Sequence, residues 1–182
     1  MKNAILLCLL GVAFSGRICL EKDWILEWSF SDEETINFKL VLDQKTLDMF
    51  GWVGIGLKYA EDGSGMTGSD INNFILTDLP SDRYAAEEGL PEYDEDLGGD
   101  NNIHDPIWDA ATFTYSWSRP VISGDIYDKE YIKDNQYKLL WAAGVMMGDT
   151  QMKHFVGDRA MEDIVLSDSF DEGCEESGVL EI

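Results

Sequence analysis

An all-β fold, an immunoglobulin-like antiparallel β-sandwich, is predicted by three features of the sequence. Apolar residues recur at a period of two, these runs are short and separated by Gly, Asp, Asn and Pro clusters, and no long amphipathic helical stretch occurs. Trp24, Leu26, Trp28 and Phe30 alternate with Ile25, Glu27 and Ser29, and Ile36, Phe38, Leu40 and Leu42 alternate with Asn37, Lys39 and Val41. Each pattern is that of a strand with one buried face. From Thr112 to Ser118 every second residue is aromatic and its neighbours are small hydroxyl side chains. Further strands are expected at Trp52 to Leu57, Ile71 to Thr77, Tyr137 to Gly144 and Ile164 to Leu166. Seven or more short strands in one chain suit two facing antiparallel layers.

Within Trp52 to Leu57, Val53, Ile55 and Leu57 share one face while Gly54 and Gly56 leave the other almost bare. Such a surface admits a second backbone or a flat ligand as a pocket wall. The alternative is that the glycines relieve crowding between sheets or mark a bulge.

Composition narrows the function. The 182 residues are 45% apolar and 12% aromatic, enough for one domain with a sizeable core despite a formal charge of −23. A field of that sign excludes nucleic acid as a direct partner, because phosphate binding requires a basic face. Two histidines exclude any site built from three imidazoles of this chain.

Lys2, the apolar run Ala4 to Phe14 and the small residues of Ala13-Phe14-Ser15 read as a secretory signal peptide over residues 1–15. The run is too short to span a bilayer, and no later stretch is long enough for a transmembrane segment. The protein is therefore expected to be secreted or luminal, with a single domain over 16–182. Cys19 and Cys174 remain after cleavage, and an even count in an oxidising compartment suggests one disulfide. Closing a loop of that length restricts the unfolded chain by roughly 4–5 kcal/mol in the loop-entropy model.

Several blocks then occur in a particular order: Gly51-Trp52-Val53-Gly54-Ile55-Gly56, Gly65-Met66-Thr67-Gly68-Ser69-Asp70-Ile71, Ser118-Arg119-Pro120-Val121 with Gly124-Asp125 and Asp128, Trp141-Ala142-Ala143-Gly144, and His154 before Arg159. Their order and spacing resemble a DOMON domain from about Leu20 to Leu166, both the cytochrome-type members and the N-terminal accessory domain of dopamine beta-hydroxylase-like monooxygenases. The resemblance implies an immunoglobulin-like sandwich that binds haem or sugars. It maps the two axial ligands of a haem b onto Met66 and His154. Where such members carry Arg-Gly after the histidine, this chain has Arg159-Ala160. A thioether and an imidazole leave iron no open position, so such a site transfers single electrons. Trp52, Phe74, Trp141 and Phe155 are the candidate apolar walls. The alternative reading makes Met66 a turn residue and His154 a solvated loop residue.

The acidic insertion 84–105 offers a cation site. Asp94, Asp96, Gly99, Asp100, Asn102 and Asp105 fall at relative positions 1, 3, 6, 7, 9 and 12, an echo of an EF-hand calcium loop, but Pro91 and Pro106 oppose the flanking helices. A looser calcium site would add Asp70 or Asp78 from a neighbouring strand end, and a solvated acidic loop is the alternative. An acidic tail follows over 168–182. No nucleophile, phosphate-loop or metalloprotease motif occurs, and His104 reads as a lone exposed loop histidine. Two functions remain: a ligand-binding or interaction module for haem, sugar, cation or protein without its own catalytic domain, and a small extracellular b-type cytochrome serving a redox partner.

Overall fold

The computed structural model describes residues 16–174. The expected signal peptide and the end of the acidic tail lie outside the described residues. The strands are β1 (Gly16–Cys19), β2 (Ile25–Phe30), β3 (Thr35–Val41), β4 (Trp52–Tyr59), β5 (Asp70–Ile75), β6 (Ser81–Tyr84), β7 (Glu92–Tyr93), β8 (His104–Asp109), β9 (Thr114–Pro120), β10 (Gln136–Gly144), β11 (Met146–Met147), β12 (Thr150–Gln151), β13 (Arg159–Val165) and β14 (Asp171–Glu172). Two short helices, α1 (Gln44–Met49) and α2 (Asp94–Leu97), connect them. One sheet has the order β14-β1-β2-β3-β9-β8, the second β13-β10-β4-β5-β6-β7, and β11 and β12 form a separate hairpin. All pairings are antiparallel except β1 with β14. The all-β sandwich expected from the sequence is the fold observed.

The period-two residues form the layer between the sheets. Leu26, Trp28, Ile36, Phe38, Leu40, Tyr115 and Trp117 come from the first sheet, and Val53, Ile55, Leu57, Phe74, Leu139 and Trp141 from the second. Phe74 stands 4.7 Å from Tyr115 and 5.1 Å from Trp117, so aromatic rings join the layers directly. The chain ends are fastened by a Cys19–Cys174 disulfide and by Arg17, which makes two hydrogen bonds of 2.8 Å to Asp171.

Some local expectations change. The strand expected from Thr112 begins at Thr114, because Phe113 adopts a positive φ of 54° in the preceding turn. β6 and β8 carry no apolar alternation: Asp82 and Arg83 are buried with polar partners, and β8 is an edge strand with a bulge between His104 and Ile107. The 84–105 insertion is not a free acidic loop. Tyr127 donates to Leu97 O at 2.9 Å, Asp125 accepts from Asp100 N at 2.6 Å, and Asp82 accepts from Asn102 N at 2.8 Å.

Candidate functional site

The outer face of the second sheet carries a cavity of about 370 Å³. Strand alternation explains it. Val53, Ile55 and Leu57 point into the core, so Gly54 and Gly56 face outward, paired with Ala142 and Leu140 of β10 and with Asn73 and Ile71 of β5. The floor is low because two neighbouring positions lack a side chain. A Cβ at Gly54 would meet only Trp52 at 3.6 Å and Ile71 at 3.8 Å, ordinary contacts, so the space above it is open. At Gly56 it would approach Ile71 at 3.1 Å. Ile71, Leu140, Met161 and Trp52 make the apolar surround, and Glu88, Gly89 and Pro91 of the insertion form one wall.

Met66 and His154 both line this cavity. Met66 belongs to the β4–β5 loop, whose Gly63, Gly65 and Gly68 all take positive φ, a conformation that glycine adopts without strain. The loop is held from beneath by Lys58, 0% exposed, whose ammonium donates to Gly65 O at 3.2 Å and Thr67 O at 2.8 Å, the carbonyls on either side of Met66. Burial lowers the Lys58 pKa, and nearby Asp62 opposes that shift. Ser69 N donates to Met66 O at 3.0 Å and Gly68 N to Ala85 O at 2.7 Å, which completes the anchoring.

His154 approaches from the other end of β4. Its ring lies 6.4 Å from that of Trp52, and the Trp52 indole donates to Met152 O at 2.9 Å, fixing the segment that carries the histidine. Asn73 and Gln151 exchange amide hydrogen bonds of 3.2 and 2.9 Å and tie β12 to the floor. Partial burial, opposed by the hydrogen bond to Phe155 O and reinforced by the charges of Arg159 and Lys153, lowers the His154 pKa, which favours the neutral imidazole and its free lone pair. Lys153 and Arg159 line the same cavity, two cations on a chain of net charge −23.

Of the four expected apolar walls, Trp52 stands on the cavity side; Trp141 borders the cavity, but its ring packs 5.3 Å from Trp24 in the layer between the sheets, where Phe74 also lies, and Phe155 projects into solvent at 65% exposure. The inward parity of Trp141 on β10 and Phe74 on β5, and the turn carrying Phe155, account for the differences. Ile71, Leu140 and Met161 take their place. Ile71 and Leu140 were readable as the outward-facing partners of Gly56, once β5 and β10 are known to flank β4, and Met161 as the partner of Leu140 once β13 is known to flank β10.

The acidic residues divide. Asp70 and Asp94 are completely buried, while Asp96, Asp100 and Asp105 are exposed and Asp78 lies in the β5–β6 turn. Residues 94–105 form one helical turn followed by the start of β8, so the twelve positions do not wrap a common centre as a calcium loop does. A different group assembles instead. Single carboxylate oxygens of Asp70, Asp82 and Asp128 lie within 4.8 Å of one another. Arg119, buried at the end of β9, donates from Nη1 to Asp70 at 2.7 Å and Asp82 at 3.0 Å, and from Nη2 to Asp82 at 3.2 Å and to Asp128. Burial, partly offset by Arg119, pushes the Asp82 carboxyl up to about 7. His104 is exposed at the start of β8, beside Glu33 and Glu34.

No known family model and no curated protein matches this chain.

Proposed function

We propose that this chain is a secreted, DOMON-like ligand-binding module whose outer-face cavity takes haem b between Met66 and His154. The observation that carries the reading is that one cavity, floored by Gly54 and Gly56, is bordered by both residues, which come from separate loops. The donor chemistry suits the group: a thioether on a clamped loop and an imidazole kept neutral. The floor suits a flat ring, since a Cβ there would occupy the open space. Lys153 and Arg159 would hold the propionates, and the apolar surround would exclude water from the ring. Haem held by this pair supplies single-electron transfer, with an extracellular redox partner implied. The disulfide and the apolar leader support a secreted or luminal location.

The test is optical. Protein purified from the secreted fraction and supplied with haem should bind one equivalent and, when reduced, show sharp α and β bands of a six-coordinate low-spin iron. Met66→Ala and His154→Ala should each abolish the low-spin spectrum while leaving the fold intact. Absence of a Soret band after reconstitution, or a low-spin spectrum that persists in both variants, overturns the reading and returns the cavity to a sugar or an apolar ligand.

A further inference from the structure

The two large sheets have four edges, and three of them are blunted. β14 and β7 are only two residues long, and β8 carries Pro106 and the bulge between His104 and Ile107. The fourth edge, β13, runs for seven residues without proline, glycine or bulge, and among the described residues it pairs with β10 alone. The hydrogen bonds at its two ends fix which of its groups are free. Ala143 N donates to Asp158 O at 2.8 Å and Leu166 N to Asn135 O at 3.1 Å, both in the register that joins β10 to β13. Even-numbered positions of β13 therefore bond to β10, and strand alternation turns the N–H and C=O groups of Arg159, Met161, Asp163 and Val165 to the open edge. Such a row is a template for another strand.

The side chains select the occupant. Arg159, Met161 and Asp163 share the cavity face of the sheet. Asp163, bonded to Lys138 at 3.0 Å, keeps 82% exposure, and among the described residues Arg159 forms no ion pair. In a two-fold antiparallel pair centred on Met161, each Arg159 falls opposite the partner's Asp163 and each Glu162 opposite the partner's Ala160. The outward parity of the odd positions permits this register, with about six main-chain hydrogen bonds across the junction. Neighbouring registers oppose like charges: a centre at Ala160 sets Asp158 against Glu162, one at Glu162 sets that residue against its own copy, and one at Asp163 does the same. The charges that would block other pairings thus specify one.

We propose that β13 pairs with β13 of a second copy of this chain, antiparallel and centred on Met161. The second sheets of the two copies join into one, and directly opposed side chains of an antiparallel pair share a face, so the two cavities open side by side. Arg159 and Met161 of each copy belong both to its cavity wall and to the junction. The pairing does not depend on what the cavity holds. Repulsion between two chains of formal charge −23 opposes it at long range, so association tightens as salt screens the net charge.

Sedimentation equilibrium and amide hydrogen exchange of the full, disulfide-bonded protein, without haem and at about 0.15 M salt, test this. The expected result is a mass that doubles as the concentration rises towards about 1 mM, the weak end of specific association. Exchange at the Arg159, Met161 and Asp163 amides should slow as the dimer forms, whereas the Ala160, Glu162 and Ile164 amides should be slow at every concentration. Asp163→Arg should abolish the doubling and Arg159→Asp added to it should restore the dimer. Met161→Pro removes one outward N–H and leaves the β10 ladder intact, so it should abolish the doubling while the even-numbered amides stay slow. A single-chain mass throughout, a dimer whose odd-numbered amides stay fast, a dimer unaltered by Asp163→Arg, or no rescue in a folded double variant would each overturn the proposal. The exchange pattern is read on the unaltered chain, so the test stands even if a variant does not fold.

Discussion

Raising the pH should destabilise the protein, and Asp94 should be the main cause. Its carboxyl is pushed up to about 8 from an ordinary 3.8, so between those values the folded state holds a proton that the unfolded chain has released. The stabilisation is complete below the unfolded value and is lost as pH rises through the folded one. Between pH 5 and pH 8 the integrated loss from Asp94 is about 3–4 kcal/mol. Asp82, pushed up to about 7, acts in the same direction, but it faces Asp94, Asp70, Asp128 and Arg119 in one compartment, so the two contributions do not add. Urea unfolding at both pH values measures the difference. Asp94→Asn should remove most of it and, by replacing an unpaired buried acid with an amide, should stabilise the protein at pH 8. The general repulsion of a chain at −23 also grows with pH, and Asp96→Asn controls for it. Equal stability of the wild-type protein at pH 5 and pH 8, or an undiminished difference in Asp94→Asn, would refute the reasoning.

Three further outcomes follow from the geometry. Gly54→Val should fill the floor of the cavity while changing stability by no more than about 1 kcal/mol, because a β-branched residue suits a strand and its Cβ meets only ordinary contacts; haem titration of the variant should show no low-spin product. Lys58→Met should release the Gly65 and Thr67 carbonyls, costing about 1–3 kcal/mol in chemical unfolding, and should lower haem affinity by freeing the Met66 loop. Replacing Cys19 and Cys174 together with alanine should cost up to about 4–5 kcal/mol, read as a lowered urea midpoint.

The layers were legible because the core is made of large side chains at a strict period of two, and a slip of one residue would turn Trp28 or Phe38 to solvent. β6 was not, since Asp82 and Arg83 are buried by ion pairing and hydrogen bonding that leave no hydrophobic trace. The cavity was half legible: Gly54 and Gly56 revealed a bare face, while Ile71, Leu140 and Met161 depended on the order of neighbouring strands. The acid cluster around Arg119 joins positions 70, 82 and 128, which no local spacing connects. Its signal lay in the register: Arg119 continues the inward series of Tyr115 and Trp117, and Asp70 and Asn72 precede Phe74 on the inward face of β5. Charged residues of opposite sign in core-facing positions of facing strands must pair, and that rule finds Arg119 with Asp70.

Methionine-methyl NMR of the ¹³C-labelled protein, reconstituted with haem and then reduced, interrogates the cavity most directly. A methyl bonded through sulfur to a diamagnetic haem iron lies over the ring and is driven far upfield. One such resonance should emerge on reconstitution, disappear in Met66→Leu and persist in Met161→Leu. If every methionine methyl keeps its position, or if the shifted one belongs to Met161, then Met66 and His154 do not hold the ligand of this cavity.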